Sequence, residues 1–122
     1  MSEPYRSTGK HILLVDDQSD VRGTIKMLLG ADGHTVAEAN NGREALEMFK
    51  RDRFDLVITD YLMPEMRGDE MAANLKHIAP SQPILMLTGS AEALDTSKLL
   101  INGFLRKPFS LGDLRQAIGG LC

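Results

Sequence analysis

The stretch that decides the fold is 54-FDLVITDYLMP-64. Behind Asp55, the residues Leu56, Val57 and Ile58 form a short continuous apolar run. That is the pattern of a strand buried on both faces at the centre of a parallel sheet. The run breaks at Asp60, a carboxylate standing where a buried strand meets the surface. Pro64 cannot continue a hydrogen-bond ladder, and it biases Met63 towards extended backbone. In open α/β sheets ligands bind outside the carboxyl ends of the strands, so Asp60 is expected at the mouth of a site.

The same architecture recurs on either side. The run 11-HILLV-15 ends directly in Asp16 and Asp17. Ser19 or Asp20 is placed to cap a helix whose inner face is Val21, Ile25, Leu28 and Leu29. Gly33 supplies the turn that ends it. Thr35 to Ala39 is expected as a strand, Asn40-Asn41-Gly42 as a turn, and Arg43 to Lys50 as a helix with Ala45, Leu46 and Phe49 inside. Beyond the central strand, Arg67 and Gly68 open a helix with Met71, Ala72, Leu75 and Ile78 on its apolar face. The run 84-ILML-87 is a further strand, followed by Thr88-Gly89-Ser90. Ala91 to Leu100 is compatible with a short helix. The last strand is 103-GFLR-106, closed by Lys107-Pro108, and Ser110 caps a final helix carrying Leu114, Ala117 and Ile118. Five alternations of strand and helix specify one doubly wound α/β domain: a five-stranded parallel sheet with helices on both faces and right-handed crossovers.

Composition narrows the function classes. The chain has 122 residues, 43% hydrophobic and 25% charged, with a formal net charge of −3. Those are ordinary globular values, and the negative balance argues against nucleic acid, which needs a basic face. No apolar run is long enough to span a bilayer, and MSEPYRSTGK lacks the apolar core of a signal peptide. The single Cys122 offers neither a disulfide nor a cysteine metal site, so a reducing, cytoplasmic setting is expected. Residues 1 to 9 are expected as a loose arm before a domain spanning 10 to 122. His11, His34 and His77 lack ligand spacing. Met27, Met48, Met71 and Met86 are expected as core filling.

The polar strand ends carry the chemistry. Asp16 and Asp17, Asp60, Thr88 and Lys107 come from different strands, yet a parallel fold gathers them on one edge. Three carboxylates held together call for a cation, and oxygen-only ligands suit a hard divalent ion, Mg²⁺ above all. A Lys ammonium and a Thr hydroxyl beside that ion suit a phosphoryl group, and a carboxylate can itself be the nucleophile that forms an acyl phosphate.

From about Lys10 to Ile118 the sequence resembles the receiver domain of two-component response regulators. The likeness rests on LLVDD (Leu13 to Asp17), ITDYLMP (Ile58 to Pro64), LTGS (Leu87 to Ser90) and FLRKPF (Phe104 to Phe109), in that order and spacing. The resemblance implies the flavodoxin-like strand order 2-1-3-4-5. It implies that Asp60 is the phosphoacceptor, and that Asp16, Asp17 and Asp60 hold Mg²⁺ with the backbone carbonyl of Leu62. Thr88 and Lys107 would contact the phosphoryl oxygens, Thr88 and Phe104 would form the switch, and Lys107-Pro108 would be cis. The partners implied are a sensor histidine kinase or histidine phosphotransfer protein and a downstream protein of unknown identity. One region departs from the family pattern. Lys107 follows Thr88 by 19 positions, fewer than is typical, and Ile101-Asn102-Gly103 replaces the usual Gly-Ala before the last strand. The fourth helix is therefore expected to be short.

Three other functions compete. A phosphohydrolase of the haloacid dehalogenase type places a second Asp two residues after its nucleophile, and that position is Leu62, which cannot donate a proton. A degenerate receiver serving only as a binding module has no need of Asp17, Asp60 and Lys107 together; a domain excised from a hybrid kinase or larger regulator would keep them. Nucleotide binding has no support, since neither G-x-x-x-x-G-K-[ST] nor G-x-G-x-x-G occurs. Turnover of external substrates is not expected.

Overall fold

The computed structural model describes residues 9–89 and 101–121. Along the chain run β1 (His11–Val15), α1 (Ser19–Ala31), β2 (Thr35–Ala39), α2 (Gly42–Arg51), β3 (Leu56–Asp60), α3 (Gly68–Ile78), β4 (Ile84–Thr88), β5 (Gly103–Arg106) and α4 (Leu111–Leu121). The five strands form one sheet in the order β2-β1-β3-β4-β5, every neighbouring pair parallel. This is the doubly wound, flavodoxin-like order expected from the sequence. The short helix expected over 91 to 100, and most of the expected N-terminal arm, lie outside the described residues.

Alternation along the strands builds two cores, because successive side chains point to opposite faces. Ile12, Leu14, Leu56, Ile58, Leu85 and Leu87 pack under α1 and α4, against Ile25, Leu29, Leu114 and Ile118. On the other face Leu13, Val15, Val57 and Ile84 meet Ala45, Met71, Ala72 and Leu75 of α2 and α3. Covered on both sides, β1, β3 and β4 have no polar face to spare. That is why they read as continuous apolar runs and why their first polar residues fall at the sheet edge.

Turn chemistry fixes the helix ends. Asn41 Oδ1 accepts from the Glu44 N–H at 2.8 Å, while Glu44 Oε1 accepts from the Asn40 N–H at 2.7 Å. Ser110 Oγ and Asp113 exchange the same kind of bonds at the start of α4, each at 3.0 Å, so Ser110 caps as expected. α1 closes through Gly33 at φ +86°, with Gly33 N–H donating to Gly30 O and His34 N–H to Leu29 O. These two bonds are a Schellman closure, in which glycine takes the left-handed position without steric cost.

Three expectations are corrected. Neither Ser19 nor Asp20 caps α1; the N-cap is Gln18, with no side-chain cap bond. The turn is set one residue earlier, because Asp16 Oδ1 accepts the Gln18 N–H at 3.0 Å. Ile78 is 49% exposed: it is the last residue of α3, beyond the point where the helix leaves the sheet. Met27 is 72% exposed, since two residues beyond Ile25 a helix presents its opposite side.

His34 is buried, its Nδ1 accepting from the Lys10 N–H at 3.2 Å, and its Nε2 is buried without a hydrogen-bond partner. Burial holds its pKa below the ordinary imidazole value, against the pull of Asp32, with Lys10 adding to the depression. The unfolded chain thus binds a proton that the folded chain resists, so stability falls as pH drops below about 6.5. Chemical denaturation between pH 7.5 and 5 should show this loss, and His34→Gln should flatten it over that window. A wild type whose stability is level across the window contradicts the assignment.

Candidate functional site

β1 and β3 are neighbours in register, Val15 opposite Thr59, so the residues that follow them emerge side by side at the carboxyl edge. One carboxylate oxygen from each of Asp16, Asp17 and Asp60 lies within 4.8 Å of the others. β5 delivers the counter-charge: Lys107 Nζ stands 3.1 Å from Asp60 Oδ1 and 3.9 Å from Asp16 Oδ2. A cavity of about 240 Å³ opens here, lined by Asp17, Gln18, Asp60, Leu62, Gly89 and Lys107.

Thr88 is buried at the end of β4, and its carbonyl accepts the Lys107 N–H at 2.7 Å. Backbone pairing therefore carries β5 one residue past Arg106 and fixes where the lysine stem begins. Lys107-Pro108 is cis, as expected. Leu62 is 52% exposed on the cavity wall. Phe104 does not line the cavity; it stands on β5 opposite Met86, 43% exposed. Of the residues singled out from the sequence, the fold thus brings Asp17, Asp60, Leu62 and Lys107 to one cavity, with Asp16 buried in the carboxylate cluster behind it. It sets Thr88 on the backbone beside them and Phe104 apart.

Asp16 is the most constrained of the carboxylates. Burial raises its pKa above the ordinary range, opposed first by the Gln18 N–H; Asp60 pushes it further up, Lys107 down, and Asp17 up. Oδ2 is buried and accepts no hydrogen bond. A buried carboxylate oxygen without a donor, beside two more carboxylates and a carbonyl-bearing loop, is a donor set that fits a hard divalent cation.

Two supporting residues carried no signal as site residues in the sequence. Gly68 packs against the loop so closely that a Cβ would collide with the Asp60 carbonyl oxygen. Its N–H donates to Tyr61 O at 2.7 Å. Glycine is needed there for close approach, which a turn residue opening a helix does not reveal. The other is Arg22, whose guanidinium donates to the Asp16 carbonyl at 2.6 Å. The spacing of Asp16 and Arg22, six apart across a turn, shows nothing until the turn is built. Between Pro64 and Met66 the loop tightens into a γ-turn, Met66 N–H to Pro64 O at 2.7 Å, with Glu65 strained at φ +71°.

Comparison with known proteins places this geometry in a family. The response regulator receiver domain model matches residues 12–119. Chemotaxis protein CheY-3 of Vibrio cholerae is 36% identical over 117 residues, covering 88% of this chain and 87% of that protein. The autoinducer 1 sensor kinase/phosphatase LuxN of Vibrio harveyi is 36% identical over 110 residues, covering 88% of this chain; the chain spans only 13% of LuxN's length. Response regulator protein TrrA of Thermotoga maritima, solved in complex with Mg²⁺-BeF, superposes with a TM-score of 0.85 at 32% identity, covering 93% of this chain and 99% of that one. The chain belongs to the response regulator receiver domain family of two-component systems. Among the described residues no helix is long and apolar enough to cross a membrane.

A raised Asp16 pKa has a stability consequence. The folded state holds a proton that the unfolded chain releases near pH 3.8, so ionisation at neutral pH weighs against the metal-free fold. Asp16→Asn should stabilise the metal-free protein at pH 7 by about 1 kcal/mol, a rise of a few degrees in melting temperature, with a smaller gain near pH 4. The same variant should bind Mg²⁺ more weakly in calorimetric titration. A variant that melts below wild type at pH 7 contradicts the crowding of carboxylates.

Proposed function

We propose that this chain is the phosphoacceptor of a two-component phosphorelay, with residues 10–122 as the receiver domain and 1–9 as its arm. The observation that carries the reading is a nucleophile-grade carboxylate, Asp60, at 3.1 Å from a lysine ammonium and grouped with two further carboxylates. Asp16, Asp17, Asp60 and the Leu62 carbonyl would hold Mg²⁺, and the bound ion would neutralise charge on the phosphoryl oxygens. The Asp60 oxygen attacks phosphorus in line with the P–N bond of a phosphohistidine donor. The electron pair of that bond returns to the protonated donor imidazole, which leaves neutral, and an acyl phosphate remains on Asp60. Lys107 supplies a fixed positive charge to the transferring group and Thr88 a hydroxyl. Water later attacks the same phosphorus and releases inorganic phosphate.

The donor in this reading is a sensor histidine kinase or a histidine phosphotransfer protein in the cytoplasm, and the likeness to a sensor kinase/phosphatase supports it. The output is a protein contact switched through Thr88 and Phe104, the latter 43% exposed. Leu62 supports phosphoacceptor over phosphohydrolase chemistry, because its side chain on the cavity wall offers no proton to a leaving group.

Incubation with acetyl phosphate and Mg²⁺ followed by intact mass spectrometry tests the reading. One phosphoryl group should be added only when Mg²⁺ is present, and Asp60→Asn should accept none, because an amide is a poor nucleophile for phosphorus. Normal incorporation into that variant overturns the assignment.

A further inference from the structure

Arg22 is not among the residues lining the carboxylate cavity and was singled out by no feature of the sequence, yet it touches the site from behind. Nη1 donates to the Asp16 carbonyl at 2.6 Å and Nε to Glu38 Oε1 at 3.0 Å. Its side chain is only 11% exposed. Glu38, on β2 opposite Leu14 of β1, is held in turn by Lys26 Nζ at 3.1 Å on its other oxygen. The two cations keep the Glu38 carboxyl below the usual range, Lys26 more than Arg22. One planar guanidinium therefore joins three elements: the carbonyl at the end of β1, the edge strand β2 and α1 itself.

We infer that Arg22 is a positioning residue for metal binding, fixing the peptide between Asp16 and Asp17 so that both carboxylates converge with Asp60. The reasoning is geometric. The Asp16 carbonyl and the Asp17 amide are one planar unit, so anchoring that oxygen sets the direction from which Asp17 leaves the backbone. Two other bonds complete the clamp: Asp16 N–H donates to Ala39 O at 3.2 Å, and Asp16 Oδ1 accepts from Gln18 N–H at 3.0 Å. Arginine suits the task because its planar fork holds a carbonyl and a carboxylate from separate nitrogens in a fixed geometry, whereas a lysine offers one rotatable ammonium. Its charge is balanced by Glu38 at 3.0 Å. A contact of this kind, one shell behind the ligands, typically governs metal affinity by tenfold or more.

This inference rests on the metal-binding reading of the carboxylates, and the test separates the two. Mg²⁺ affinity is measured by isothermal titration calorimetry for wild type, Arg22→Lys, Arg22→Met and Glu38→Gln, with melting temperatures recorded in EDTA. Arg22→Lys keeps the charge and loses the fork. It should weaken Mg²⁺ about tenfold, as should Arg22→Met, and Glu38→Gln should weaken it by a smaller factor. Variants that fold and bind Mg²⁺ as wild type does, with only the melting temperature lowered, overturn the inference and leave Arg22 a packing contact. Failure of wild type itself to bind Mg²⁺ overturns the reading beneath it.

Discussion

Carboxylate repulsion is the constraint around which this domain is arranged. One oxygen from each of Asp16, Asp17 and Asp60 lies within 4.8 Å of the others, and burial, with the Asp60 and Asp17 charges behind it, raises the Asp16 pKa. The fold offsets part of that cost with one ammonium, Lys107, and with backbone donors such as the Gln18 N–H. It leaves Asp16 Oδ2 buried and without a donor. Stability given up at such a cluster is the usual trade at a functional site, as the proposed cation and phosphoryl site requires.

The surrounding elements answer to that cluster. The parallel sheet makes every strand end at the same edge, so a short motif after each strand is enough to assemble the pocket. The β3–α3 loop is drawn in by Gly68, which lies against the Asp60 carbonyl. β5 is seated by its backbone bond from Lys107 to Thr88. Its other end is pinned by Asn102, whose N–H donates to Ile84 O and whose Oδ1 accepts from Ile84 N–H and Lys76 Nζ. Asn102 thus acts as one more ladder residue at the start of β5. Lys76 also reaches Gln82 O at 2.6 Å, and burial lowers its pKa. Ile101-Asn102-Gly103, where the family usually has Gly-Ala, is therefore a built corner between α3, β4 and β5.

Much of this was legible in the sequence, for a physical reason. Strands covered on both faces must be continuously apolar, so HILLV, LVITD and ILMLT announce both their own extent and the polar residues at their ends. The strand order and the gathering of Asp16, Asp17, Asp60, Leu62 and Lys107 followed from that pattern and from the family resemblance. What stayed hidden depends on distances through space. The α1 cap moved to Gln18 because a side-chain oxygen of Asp16, in the turn after β1, claimed its amide. Met27 and Ile78 sit within apolar helical stretches, yet their exposure depends on helix phase and on where the sheet stops. Gly68, Arg22 and Asn102 act through contacts with backbone atoms, which leave no mark on spacing or periodicity. Phe104 was marked as a switch by its place in the motif alone, and its exposure became visible only with the fold.

The central claim is that these carboxylates form one cation-assisted phosphoryl site centred on Asp60. A crystal structure of the protein grown with Mg²⁺ and beryllofluoride tests it most directly. The account predicts beryllium bonded to an Asp60 oxygen and Mg²⁺ about 2.1 Å from oxygens of Asp16, Asp17, Asp60 and the Leu62 carbonyl. Lys107 and Thr88 should contact the fluorides. An ion seated away from the three aspartates, or beryllofluoride absent from Asp60 at saturating concentration, would contradict it.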